Sequence, residues 1–101
     1  MRKVVAEVTV VPLGTASASL STYVAEAERV LRKFPKVKSM LTPMSTILEG
    51  EMSDVLTAVQ AMHEVPFRIG ALRVSTTLRI DDRRDKEISM KGKLAAVRNK
   101  L

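Results

Sequence analysis

The sequence predicts one α+β domain over residues 1–101, with a four-stranded antiparallel sheet and helices packed on it. Residues 3–11 and 72–80 alternate apolar and polar side chains, as strands with one buried face do. Residues 20–34 and 53–70 instead repeat apolar side chains at helical spacing. A chain of 101 residues has room for a single hydrophobic core, so no second domain is expected.

The first predicted strand has two different faces. One face is wholly apolar and consists of Val4, Ala6, Val8 and Val10. The other mixes apolar and polar side chains and consists of Val5, Glu7, Thr9 and Val11. Because β-branched residues favour strands, the assignment agrees with local preference as well as with the alternation. We expect the apolar face to contact helices and the mixed face to point away from them.

The middle of the chain is divided by prolines. Pro35 ends the first helix, because the residue before a proline is pushed out of helical geometry. Two short strands follow, over residues 36–42 and 45–51, with a bend at Pro43. Ser53 or Asp54 is expected to cap the second helix, and Pro66 to kink it or end it early.

The last strand repeats the two-faced pattern of the first, and a terminal helix is predicted over residues 87–101, capped by Asp85. Val74, Thr76, Leu78 and Ile80 share one face, and Arg73, Ser75, Thr77 and Arg79 share the other. The order βαββαβ is that of the ferredoxin-like fold. That fold packs both main helices on one sheet face and leaves the other bare. A bare face this apolar predicts a homodimer through the sheet faces, with larger assembly through strand edges or the last helix.

Composition narrows the class of protein. The chain has no cysteine, which excludes disulfides and thiolate chemistry and favours a cytoplasmic location. No apolar run approaches the roughly 20 residues of a membrane span, so no membrane association is expected. The formal net charge of +6 is spread along the chain and is interrupted by acidic residues, which is typical of a mixed solvated surface.

The sequence shows no catalytic or metal-binding motif. His63, the only histidine, is followed directly by Glu64, and adjacent helical residues point in different directions. No metal-ligand spacing, phosphate-binding glycine loop or nucleophile motif is present. We therefore expect a protein that is not an enzyme and needs neither a metal nor a cofactor.

Hydroxyl and carboxylate side chains cluster in the predicted strands. Residues 42–46 (TPMST) and 75–77 (STT) are rich in hydroxyls, which could line a polar pocket or be ordinary strand composition. Glu7 and Glu49 are carboxylates within strands, and a shielded carboxylate needs a partner. For Glu7 that partner is either Arg79 or a ligand that donates hydrogen bonds. Glu49 could equally be a solvated carboxylate at a strand end.

Three segments resemble one known family. They are residues 5–14 (VAEVTVVPLG), 41–50 (LTPMSTILEG) and 73–86 (RVSTTLRIDDRRDK). With them the chain resembles the small thiamine-binding protein family, formerly known as an uncharacterised conserved family of archaea, bacteria and yeast. The resemblance extends over nearly the whole chain.

The resemblance implies a ferredoxin-like fold, dimers that pair into tetramers, and thiamine or its hydroxymethylpyrimidine part as the ligand. An aminopyrimidine donates from its amino group and accepts at its ring nitrogens, which carboxylates and hydroxyls can match. The ligand contacts expected on this basis are Glu7, Thr46, Glu49, Ser75 and Thr76, with Thr9, Thr42 and Arg79 in support.

Two other functions remain open at this point. A regulatory or interaction subunit would need the same ligand pocket. A nucleic-acid-binding domain can share the strand order and the positive charge. RNA-binding domains of this topology stack bases on aromatic residues of the sheet, however, and no predicted strand contains an aromatic residue. Nucleic acid is therefore not the expected partner.

Overall fold

The computed structural model describes residues 2–101, and over these residues the chain forms four strands and three helices. They are β1 (Lys3–Leu13), α1 (Ser21–Leu31), β2 (Lys38–Leu41), β3 (Thr46–Glu51), α2 (Met52–Arg68), β4 (Arg73–Asp81) and α3 (Met90–Arg98). The predicted element order and the ferredoxin-like α+β fold are confirmed.

The sheet has the strand order β2-β3-β1-β4, and all neighbouring strands are antiparallel. In the register of β1, Val5 lies opposite Glu49 of β3 and Asp81 of β4. Residues directly opposite each other in a sheet point to the same face. We call the face that carries Val5, Glu7, Thr9 and Val11, with their partners in register, the outer face.

The hydrophobic core lies between the opposite sheet face and helices α1 and α2. It contains the apolar face of β1, Leu48 of β3 and the inward side chains of both helices. Its buried members are Val4, Ala6, Val8, Ala27, Leu31, Val37, Leu48, Val55, Ala58, Val59 and Met62. The two faces expected for β1 are therefore the two faces observed.

Helix α2 begins and ends differently from the prediction. It follows β3 without a loop, so Glu51 is the N-cap residue and no side chain caps the helix; the expected cap at Ser53 or Asp54 is wrong. Pro66 lies in the last turn and is buried, and the helix ends at Arg68. Gly70 then reverses the chain with a φ of 106°, which favours glycine. None of the helices within residues 2–101 is long and apolar enough to span a membrane.

Helix α3 crosses one end of the outer face. Its N-cap is Ser89 instead of the expected Asp85, and the Ser89 hydroxyl accepts the Gly92 N–H at 2.9 Å. The Met90 N–H donates to Glu49 on the sheet at 2.8 Å. Lys93 forms an ion pair with Asp81 of β4. The outer face is therefore open only at its other end, and the expectation of a wholly bare face is corrected.

Candidate ligand site on the outer sheet face

A groove of about 470 Å³ lies on the outer face along one side of α3. We call it the outer groove. Its lining comes from β1, β3, β4 and α3, and consists of Val5, Ala6, Glu7, Ile47, Arg79, Ile80, Asp81 and Lys93. This volume falls within the range of roughly 300–1,000 Å³ that is usual for small-molecule sites.

Glu7 supplies the carboxylate of the outer groove. One oxygen, Oε2, accepts a hydrogen bond from the Ser45 hydroxyl at 2.8 Å. The other, Oε1, lies 3.5 Å from the Arg79 guanidinium, whose side chain is 82% exposed. A carboxylate offers about four acceptor positions, so two remain for a further donor. Because an exposed ion pair is worth only about 0–1 kcal/mol, Arg79 holds Glu7 weakly.

Ser45 is positioned by Thr42, one of the residues expected from the sequence. The Thr42 hydroxyl accepts the Ser45 N–H at 3.0 Å and donates to the Ser45 carbonyl at 2.8 Å. The Thr42 N–H donates to the same carbonyl at 2.8 Å. Thr42 therefore shapes the β2–β3 turn and supports the contact between Ser45 and Glu7.

The charges that line the outer groove balance one another. Glu7 faces Arg79 across the β1–β4 pairing, and Asp81 pairs with Lys93. Val5 and Ile47 add apolar surface on the neighbouring strands. The groove thus combines an incompletely used carboxylate, cationic donors and an apolar floor. This combination suits a planar polar ring.

Thr9 and Ser75 lie on the open part of the outer face. In register Thr9 is opposite Thr77, and Ser75 is opposite Val11. Ser75 and Thr77 are exposed and Thr9 is half-buried. Together Thr9, Ser75 and Thr77 form a strip of hydroxyl groups that runs away from α3 on the same face as Glu7.

Glu49 lies on the outer face but does not line the outer groove. Its side chain is only 4% exposed. One oxygen accepts the Met90 N–H at 2.8 Å and the other lies 3.9 Å from the Lys38 ammonium group. Its visible role is to bind the start of α3 to the sheet.

Thr46 and Thr76 lie on the helix side of the sheet, away from Glu7. Thr46 is buried and donates a hydrogen bond to Glu28 of α1 at 2.8 Å. The Oγ1 atom of Thr76 lies 2.6 Å from Nδ1 of His63, and the His63 ring packs edge-to-face with the Phe67 ring. Of the eight residues expected from the sequence, five therefore lie on the outer face, Thr42 lies in the β2–β3 turn, and Thr46 and Thr76 contact side chains of the helices.

In the charged loop after β4, residues 82–85, the acidic and basic side chains pair with one another. Arg83 donates two hydrogen bonds to Asp85, at 2.6 and 2.8 Å, and Arg84 pairs with Asp82 at 3.0 Å. The Arg83 hydrogen bond lowers the pKa of the Asp85 carboxyl below its ordinary value. Among residues 2–101, no cluster of His, Asp and Glu side chains is arranged to hold a metal ion.

Fold and groove together define a small ferredoxin-like domain with a ligand-sized polar site on its outer sheet face. Residues 6–98 match the model of the thiamine-binding protein family, and the chain belongs to this family. The UPF0045 protein YqgV of Bacillus subtilis is 45% identical in an alignment 100 residues long, which covers 96% of this chain and 96% of that protein. Family membership indicates a ligand-binding role.

Solved structures agree with this assignment. The crystal structure of a hypothetical protein from Methanocaldococcus jannaschii is 41% identical and superposes with a TM-score of 0.88, covering 96% of this chain and 97% of that one. A Thermotoga maritima protein proposed to act in thiamine biosynthesis or salvage is 22% identical, with a TM-score of 0.77 over 94% of this chain and 98% of that one. At that identity the likeness extends to the fold alone.

Proposed function

We propose that this protein binds thiamine or its hydroxymethylpyrimidine part in the outer groove and does not catalyse a reaction. The observation that carries the proposal is Glu7, a strand carboxylate with acceptor positions to spare beside an apolar floor. The family match and the role proposed for the Thermotoga maritima protein support the choice of ligand.

The chemistry of the groove suits an aminopyrimidine. The ring can lie on Val5 and Ile47, and its exocyclic amino group can donate to Glu7. Arg79 or Lys93 can donate to a ring nitrogen, since both carry N–H groups and line the groove. In thiamine itself, the thiazolium cation would be favoured by the carboxylates of Glu7 and Asp81.

A second copy of the chain is the proposed cover for the site. The outer groove is open to solvent, and the strip beyond it presents the hydroxyls of Thr9, Ser75 and Thr77 beside Val11. Because α3 occupies the other end, two sheets would pack face to face through this strip. Strand β2 is a sheet edge with all four residues exposed, which offers the contact for a tetramer. We place this assembly in the cytoplasm, in line with the absence of cysteine.

Titration calorimetry tests this function directly. Purified protein should bind hydroxymethylpyrimidine, thiamine or both, and Glu7→Gln should weaken binding about tenfold or more, since a hydrogen bond to a charged group is worth about 1.5–3 kcal/mol. The matched control is Glu64→Gln, an exposed carboxylate on α2 that should leave affinity unchanged. Absence of heat with both ligands, from protein of native fold, would refute the proposal. Light scattering with and without ligand measures the assembly.

The placement of aromatic residues argues against nucleic acid as the main ligand. The chain's three aromatic residues are Tyr23 in α1, Phe34 shortly after it and Phe67 in α2. None lies on a strand, so the outer face has no platform on which a base could stack.

A further inference from the structure

A second groove lies on the other side of α3, between this helix and the edge strand β2. It has a volume of about 470 Å³ and is separate from the outer groove. Its lining includes four cationic side chains, one carboxylate and three apolar side chains. The charged residues are Lys3, Lys38, Lys91, Arg98 and Glu49, and the apolar residues are Met40, Met90 and Leu94. We call this site the basic groove.

The basic groove carries an excess of positive charge. Four cations against one carboxylate leave a formal charge of 4 − 1 = +3 among its lining residues. The carboxylate of Glu49 is buried and already engaged by the Met90 N–H and by Lys38. Within residues 2–101, Lys3, Lys91 and Arg98 form no ion pair. Glu51 lies opposite Lys3 in register but forms no ion pair with it, so ion pairs leave the excess charge of the groove in place.

The cations approach the groove from three elements. Lys3 begins β1, and Lys38 begins β2 opposite Glu49. Lys91, Leu94 and Arg98 follow at spacings of three and four residues, which places them on one stripe of α3. Lys91 lies in the first turn, where a cation opposes the helix dipole, and that turn contains no acidic residue. Helix formation thus does not explain a lysine at this position.

We propose that the basic groove binds the diphosphate group of a small phosphorylated compound, at a site distinct from the outer groove. A diphosphate presents several anionic oxygens, so it can accept from Lys3, Lys91 and Arg98 together. The two grooves differ in net charge, and only the basic groove has the positive excess that an anionic ligand requires. The charges lining the outer groove balance, whereas those of the basic groove do not.

The probe is inorganic pyrophosphate, and calorimetry measures its binding to the full chain. The double variant Lys91→Gln/Arg98→Gln removes two groove cations and should raise the dissociation constant at least tenfold. The control Lys33→Gln/Arg68→Gln removes the same charge from exposed positions after α1 and at the end of α2, and should change it less than twofold. Equal weakening by both variants would mean that only net charge matters, and would overturn the proposal. No binding of pyrophosphate by the unaltered chain would also overturn it.

Two further measurements identify the class of ligand and distinguish the basic groove from the pyrimidine site proposed in the outer groove. Orthophosphate should bind more weakly than pyrophosphate. If a single-stranded RNA binds more tightly than pyrophosphate, and does so through Lys91 and Arg98, the groove is a nucleic-acid site instead. Binding of hydroxymethylpyrimidine should be the same in the double variant as in the unaltered chain. If the double variant fails to fold, Lys91→Gln alone provides the test. This substitution removes a cation that is unfavourable near a helix N-terminus, so the variant should fold.

Discussion

Replacing Glu49 by glutamine should weaken the attachment of α3 to the sheet. The substitution keeps the shape and one acceptor oxygen but removes the charge that Met90 N–H and Lys38 now contact, at 2.8 and 3.9 Å. Hydrogen bonds to charged groups are worth about 1.5–3 kcal/mol against about 0.5–1.5 kcal/mol between neutral groups. A carboxylate at a helix N-terminus adds about 0.3–1 kcal/mol.

The hydrogen bond and the helix N-terminus together contribute about 1–2.5 kcal/mol, and both lie between α3 and the sheet, so their loss should appear first as local opening of the helix. The exposed Lys38 adds at most about 1 kcal/mol, and it acts within the sheet, between β2 and β3. Hydrogen exchange followed by NMR should show the α3 amides exchanging about 10–100-fold faster, at tenfold for each 1.4 kcal/mol. Amides of the central strand β1 should change much less.

The matched control is Glu64→Gln, which removes an exposed carboxylate of α2 and should leave exchange in α3 as it was. Unchanged α3 protection in Glu49→Gln would refute the conclusion that Glu49 anchors this helix. It would also reopen the alternative that the Glu49 carboxylate is available to a ligand.

Three further predictions concern the core, the helix side of the sheet and the charged loop. Leu48→Ala, at a fully buried side chain, should lower the free energy of unfolding by about 2–5 kcal/mol in urea titrations, and a loss below about 1 kcal/mol would contradict the packing. Thr46→Val should cost about 1–3 kcal/mol by leaving Glu28 without its donor, yet leave pyrimidine affinity unchanged in calorimetry. Because the hydrogen bond from Arg83 lowers the pKa of Asp85, the contribution of the pair is present at neutral pH and is lost as the pH falls through that lowered pKa. NMR titration of Arg83→Gln should show the pKa of Asp85 rising towards its ordinary value, and an unaltered pKa would exclude Arg83 as the cause.

The fold could be predicted because its signals are local and periodic. Alternation in residues 3–11 and 72–80 predicts both the strands and their inward faces. In the structure the inward face of β1 is largely buried, and that of β4 is half-buried against the core. Helix ends were less predictable because they depend on how elements join. Ser53 does not cap α2 because β3 runs directly into the helix. The position of α3 was not predictable, since Glu49 and Asp81 hold it from distant strands.

The candidate site could be predicted only in part. Glu7, Thr9, Ser75 and Arg79 were expected and lie on one face, since strand alternation assigns them to it. The same alternation placed Thr76 on the inner face, and the structure shows it there beside His63.

Other parts of the site depend on contacts between distant residues. Ser45 belongs to the hydroxyl-rich segment 42–46, but the sequence does not predict its contact with Glu7, because this contact depends on the shape of the β2–β3 turn. Lys93 joined the outer groove through the docking of α3, which no local pattern encodes.

The most direct test of the account is NMR mapping of the hydroxymethylpyrimidine complex. If the outer face binds the ring, amide and side-chain shifts should concentrate at Glu7, Ile47 and Arg79 and leave the helix side of the sheet unperturbed. Shifts centred instead on Glu28 and His63, or no shifts at saturating ligand, would contradict it.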